Sequence, residues 1–355
     1  MMNSMQRVLT TLGHREPDRV PLFLFTTMVG ARELGLRIQD YFSRAEYVVE
    51  GQLRLLAKYR SDCLYPFFYA SLEIEAFGGE TIFVEDGPPN SGQPIIRRRD
   101  IDGLEPPKVA EAKCLRLVLE TIRRLKAKLG DTVPIVGVVM SPFSLPVMQM
   151  GFERYIELIY EDEERFWRLM AVNEAFCVDW ANAQLAAGAT AICYFDPVSS
   201  VTNTPRDLYL RTGQVVARRV LARIQGPTAT HLASGRLLPL VDDIAATGTS
   251  VLGISILENL AELKAKASGK LTLLGNLNGV EMRGWTDSEA EIAVKNALAA
   301  AGPGGGFILA DNHGEIPWQV PDDVLLSIRA AVDRWGRYPL TWADEWLDAG
   351  KACQP

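Results

Sequence analysis

An α/β fold, a (β/α)8 TIM barrel with an N-terminal helical extension and an inserted β-hairpin, is what three features of the sequence predict. Eight short runs rich in β-branched and aromatic residues alternate with longer stretches whose apolar residues recur at helical spacing. The first run is not followed by the G-x-G-x-x-G loop that a doubly wound nucleotide-binding sheet places there. No Ser-, Gly- or Pro-rich linker interrupts the alternation, so residues 1–355 are expected to form one barrel domain.

The strand candidates are 19–25, 63–69, 133–141, 189–196, 227–233, 251–256, 271–277 and 305–311. Between the second and third, 81–85 and 94–99 flank the turn-rich string DGPPNSGQ. This reads as a hairpin inserted beside the barrel, with Arg97, Arg98 and Arg99 on its solvated strand. Segments 44–60, 109–129, 161–187 and 205–225 carry apolar residues three and four apart, the pattern of helices laid on a sheet. The tail from Trp335 onward, rich in tryptophan and charge, is expected to be helical or irregular.

With 48% apolar and 23% charged residues the chain has material for a large core and lacks the signature of disorder. A net charge of −7 offers no general attraction to nucleic acid, and the run Arg97 to Arg99 is too short to form a basic patch. The five cysteines, Cys63, Cys114, Cys177, Cys193 and Cys353, are odd in number and never in C-x-x-C spacing, which fits a reducing cytoplasm rather than a disulfide framework. No stretch reaches the roughly 18 apolar residues of a membrane span, so neither export nor insertion is expected.

A barrel places its active site where the strands end. The polar residues there are Tyr69, Ser141, Asp196, His231, Glu258 just past the sixth run, Asn276, Asn278, and the cluster Asp311, Asn312, His313 and Glu315. Two of the chain's three histidines are among them. Neutral imidazole binds divalent ions and titrates near neutrality, so His231 and His313 suit metal ligation or acid–base work; the alternative is two histidines hydrogen-bonded for structure alone. Glu258 is either a ligand or base, or an ordinary partner of a helix dipole. Asp196, before Pro197, either orients a ligand or caps a turn. The GNLNG string from Gly275 to Gly279 either lets backbone approach a ligand or satisfies a tight turn.

Several strings occur in a fixed order: GHREPDRVP, EAFGGE with VEDGPP, MSPFSLPVMQMG, the His231 segment, LLGNLNG and LADNHGEIPWQVP. Together, over residues 6–335, they resemble the uroporphyrinogen decarboxylase superfamily, which also contains cobalamin-dependent methyltransferases. The resemblance implies a (β/α)8 barrel, in agreement with the count of runs. The decarboxylases carry an arginine-rich RQAGRY-type segment after the first strand and a catalytic aspartate in an F-S-D string after the second. Here the first reads FTTMVGARELG, keeping only Arg32, and the second reads Phe67-Phe68-Tyr69. A tetrapyrrole with eight carboxylates therefore lacks its counter-charges and its acid.

The methyltransferase branch binds zinc through H-x-C after strand five and a cysteine after strand eight. In this chain those positions read His231-Leu232-Ala233 and His313. The two histidines at these positions, with a carboxylate such as Glu258, would suit zinc in a site harder than one built on thiolates. The resemblance also implies a corrinoid carried by a partner protein, since the D-x-H-x-x-G signature of corrinoid binding is absent from these residues. The expected activity is methyl transfer between a small methylated donor or acceptor and that corrinoid protein. A carboxy-lyase acting on an anionic substrate, or a non-catalytic tetrapyrrole-binding barrel, are the alternatives. Catalytic candidates are His231, His313, Glu258 and Asp196. Tyr69, Phe143, Tyr194 and Trp318, together with Asn276 and Asn312, are the candidate substrate contacts. With Phe67 and Phe68, the aromatic members favour a small, mostly uncharged or aromatic compound, and at least half of them are expected to serve barrel packing.

Overall fold

The first sheet strand, β1 (Leu22–Phe23), is followed by a two-stranded hairpin, β2 (Thr81–Ile82) and β3 (Asn90–Ser91), and then by β4 (Val136–Met140), β5 (Ala191–Phe195), β6 (Thr228–His231), β7 (Val251–Gly253), β8 (Thr272–Leu277) and β9 (Phe307–Asp311). The computed structural model describes residues 2–66 and 69–352, so Phe67, Phe68 and Cys353 lie outside the described residues. Seven strands form a curled parallel sheet in the order β1-β9-β8-β7-β6-β5-β4, with helices around it. This is the TIM-barrel-like α/β fold that the alternation predicts.

The second expected strand, 63–69, is a correction. Among its described residues it contributes a single parallel bridge, between Leu64 and Ile135. On the other side the Asp62 amide donates to the Leu22 carbonyl at 2.6 Å, closing the ring toward β1. Pro66 has no N–H to donate the next ladder bond after Leu64. The hairpin is present, but its return strand is Asn90–Ser91. Arg98 begins a 3-10 turn, Arg98–Gly103, and the arginine run is not on a strand.

Alternation along each strand separates two environments. Phe23, Val138, Cys193, Leu274 and Ile308 pack inside the ring, whereas Leu22, Val139, Ile192, Leu273 and Leu309 pack outward under the helices. The expected helices are present over Ala45–Tyr59, Lys113–Leu129 and Glu163–Ala187. The fourth is broken at Thr212 into Arg206–Arg211 and Gly213–Leu221, and the tail ends in the helix Ala343–Ala352. Among the described residues no helix is long and apolar enough to cross a membrane. Cys63, Cys114, Cys177 and Cys193 are free thiols.

The N-terminal extension is the helix Ser4–Leu12, capped reciprocally: Asn3 accepts from the Gln6 amide at 2.8 Å and Gln6 accepts from the Asn3 amide at 3.1 Å. Its residues Met5, Val8, Leu9 and Leu12 line the lower wall of an apolar cavity of about 90 Å³ inside the ring. Phe25, Tyr65, Phe195, His231 and Gly314 line the upper part.

Candidate active site

His231 ends β6 and is 1% exposed. It stacks on Phe195 with ring centroids 5.5 Å apart and meets Phe25 edge-on at 5.7 Å. Its neighbour in the sheet register is Gly253, whose missing side chain leaves the space that the imidazole fills. The Ala233 amide donates to His231 Nδ1 at 3.0 Å. A neutral imidazole whose Nδ1 accepts carries its proton on Nε2, and Nε2 is buried without a partner. Burial, helped by the neighbouring charge of His313, lowers the His231 pKa to about 4. At neutral pH His231 is therefore an uncharged donor at the head of the apolar cavity.

The strand-end cluster after β9 carries the second half of the site. Asp311 is fully buried; its Oδ2 accepts from the amides of His313 at 3.1 Å and Gly314 at 3.3 Å, and Oδ1 is unpartnered. Burial outweighs these hydrogen bonds and raises its pKa to about 7. Glu315 keeps some exposed surface as a residue, but its carboxyl group is enclosed, bonded to the Thr27 hydroxyl and accepting from the Met28 amide at 3.0 Å. Burial, with a smaller contribution from the charge of Asp311, raises its pKa to about 8. Asn312 is fully buried with neither amide oxygen nor nitrogen partnered, and the buried Nδ1 of half-buried His313 is also unpartnered. Burial lowers the His313 pKa. Strand ends thus collect buried polar atoms without protein partners, the character of a ligand site.

The expected zinc set does not assemble. Among the described residues no group of three or more His, Cys, Asp or Glu could hold a metal ion. Glu258 instead accepts from the Leu237 amide at 2.9 Å and from the Leu238 amide at 2.7 Å, tying one loop to another. His231 already uses its Nδ1 lone pair, so ligation through Nε2 would require removing the remaining ring proton. The donor chemistry does not fit zinc.

Asp196, read from the sequence as orienting a ligand or capping a turn, is held in a network of hydroxyls. Its carboxylate accepts from the hydroxyls of Ser141 at 2.5 Å, Ser144 at 2.7 Å and Ser199 at 2.5 Å, inside a buried knot that ties the loop after β4 to the loop after β5. Among the candidate substrate contacts, Phe143 packs outward on Tyr155 and Phe166, and Tyr194 faces the helix layer. Tyr69 packs against Phe42 and Phe83 and donates to Glu75 at 2.9 Å. Asn276 is buried and donates to the Ser255 carbonyl at 3.4 Å. Half-buried Trp318 lies 5.7 Å from Arg32, whose guanidinium donates to the Trp318 and Val320 carbonyls and pairs with Asp322 at 2.6 Å. The one arginine kept from the decarboxylase-like segment is therefore engaged within the protein. Sequence reasoning noted Asp311 and Glu315 at a strand end but assigned them no role; their value as acids comes from burial, which no local pattern encodes.

A parallel barrel with titratable groups gathered at its strand ends defines an α/β-barrel enzyme. The uroporphyrinogen decarboxylase (URO-D) family model matches residues 3–335, and the chain belongs to that family. A uroporphyrinogen decarboxylase of Tolumonas auensis is 25% identical over 334 residues, covering 88% of this chain and 91% of the relative. A uroporphyrinogen decarboxylase of Alkalilimnicola ehrlichii is 25% identical over 355 residues, covering 94% of each chain. A methyltransferase from Methanosarcina mazei has the same fold, with a TM-score of 0.84 at 20% identity, covering 94% of this chain and 99% of the other.

Proposed function

We propose that this enzyme transfers a methyl group between a small, weakly charged compound and a corrinoid carried by a partner protein. The observation that carries the reading is that the neutral donor His231, with a buried unpartnered Nε2, and two buried acids, Asp311 and Glu315, lie at strand ends where Arg32 is already engaged. Such a site can hydrogen-bond and protonate a heteroatom, but it offers poor return for desolvating a polycarboxylate. A corrinoid, when bound, supplies the nucleophile or the methyl donor. The chain's own residues enclose the small compound, exclude water through the apolar cavity, deliver a proton to the heteroatom when the methyl group leaves it, and accept one from the heteroatom when it is methylated.

Asp311 and Glu315 act in their protonated forms near neutrality, and the Nε2 proton of His231 orients the heteroatom. The second reading, decarboxylation, is supported by the names of the relatives and by the same neutral acids, which could protonate the carbon left after loss of carbon dioxide.

One anaerobic experiment separates the two. The protein is incubated with uroporphyrinogen, and separately with methylated small compounds and a cobalt(I) corrinoid protein. Methyl transfer without coproporphyrinogen formation is expected; efficient decarboxylation of uroporphyrinogen overturns the reading.

A further inference from the structure

At the opposite end of the barrel a cleft of about 960 Å³ opens among residues that precede the strands, including Asp18, Asp62 and Thr132. Five arginines line it: Arg7, Arg19, Arg60, Arg329 and Arg337. Against them stand Asp18, Asp62 and Asp333, which leaves the walls two positive charges in excess. Arg7 and Arg19 share the buried carboxylate of Asp62, at 2.6 and 2.7 Å, and Arg7 also pairs with Asp18 at 2.7 Å. Arg60 and Arg337 are exposed at the rim.

Arg329 is the unusual member. It is 7% exposed, and only its Nη2 has an anionic partner, Asp333 at 2.7 Å; Nε and Nη1 are buried without partners. Its burial and the charges of Arg19 and Arg60 lower its pKa, so the cationic form is held against an unfavourable field. Guanidinium donors buried without acceptors, in a cleft with surplus positive charge, are the groups that a dianionic oxygen ligand satisfies. The N-terminal turn of the helix Ser4–Leu12 lines the same wall and adds partial positive charge.

We infer that this cleft binds a phosphate dianion through Arg329 and Arg60, away from the strand-end site. Two surplus charges match a phosphate group, and the cleft is many times larger than the oxyanion, leaving room for the organic part of a phosphate monoester.

Calorimetric titration of the full chain in chloride buffer at constant ionic strength tests this, with inorganic phosphate and glycerol 3-phosphate as probes. Saturable binding of one dianion per chain is expected, weakened at least tenfold by Arg60→Ala and by Arg329→Gln and unchanged by His231→Ala. Tighter binding of glycerol 3-phosphate identifies a phosphate ester as the ligand class; equal affinity identifies phosphate itself. Because Arg60 is exposed, Arg60→Ala decides the matter even if Arg329→Gln fails to fold. The inference is overturned if neither probe saturates, if Arg60→Ala binds as tightly as the wild type, or if His231→Ala abolishes binding.

Discussion

A Cβ atom added to Gly253 would lie 2.2 Å from Cδ2 of His231, closer than any side chain tolerates, so the glycine on β7 and the histidine on β6 occupy one space between them. Gly253→Ala is expected to displace the imidazole and to destabilise the chain by about 1–3 kcal/mol through overpacking. Gly279→Ala, whose added atom would meet His313 Nδ1 at 3.5 Å, is the tolerated control. Urea midpoints of the two variants, read beside activity, check the contrast.

Replacing His231 by Ala removes the donor at the head of the cavity. Activity is expected to fall roughly 10²- to 10⁴-fold, the range of a lost acid–base group, with secondary structure retained. Zinc content is expected not to follow the substitution, because His231 Nδ1 already accepts from the Ala233 amide. Steady-state kinetics with elemental analysis of the same preparations test this; activity retained in full would remove His231 from the mechanism.

Glu315 connects the site to pH. Its folded pKa of about 8 lies above the ordinary glutamate value of 4.5, so the folded chain holds a proton that the unfolded chain has released, and stability falls as pH rises from about 4.5 to 8. Glu315→Gln imitates the protonated form: its amide can donate to Thr27 Oγ1 while its carbonyl accepts from Met28. The variant's advantage over the wild type should therefore grow between pH 6.5 and 8, by at most about 2 kcal/mol at 1.36 kcal/mol per pH unit for one proton. Denaturant midpoints at the two pH values measure it.

The same acids set the alkaline limit of turnover. Asp311 and Glu315, raised to about 7 and about 8, titrate as a pair, and loss of their protons should lower the rate above pH 7 to 8. His231, lowered to about 4, remains neutral well below that limit. A rate profile from pH 5 to 9 that rises through pH 8 would contradict the acid role.

Asp196 predicts a split between charge and shape. Asp196→Ala leaves three serine hydroxyls without their acceptor and should cost at least about 2 kcal/mol of stability. Asp196→Asn keeps one acceptor and allows a hydroxyl to turn and accept, so it should retain most of the stability and leave kcat/KM near wild type. A collapse of kcat/KM in a well-folded Asp196→Asn protein would restore the catalytic role.

The barrel was legible because strand and helix periods differ: each of the seven sheet strands falls inside an expected run, and the runs extend beyond the strands at both ends. The run 63–69 had strand-like composition, yet its described residues form a single bridge. Within the site, position at a strand end singled out His231, Asn312 and His313. It could not tell which way a side chain turns. Tyr194 and Cys193 are adjacent and equally apolar in context, but alternation sends the tyrosine to the helices and the thiol into the ring. Nor could it tell what a carboxylate meets: Glu258 finds two backbone amides and Asp196 three hydroxyls, partners set by loops distant in sequence.

The helix Ser4–Leu12 has a kinetic meaning. Its apolar face forms the floor beneath His231, anchored where the Met5 amide donates to the Thr132 carbonyl at 2.9 Å, so the strand-end mouth serves as both entrance and exit. Traffic through one doorway is sequential. On the proposed reading, a small compound is expected to be seated before the corrinoid protein covers the mouth, and to leave only after that protein has departed. On that reading, the order of addition follows from the helix that lines the lower wall of the cavity.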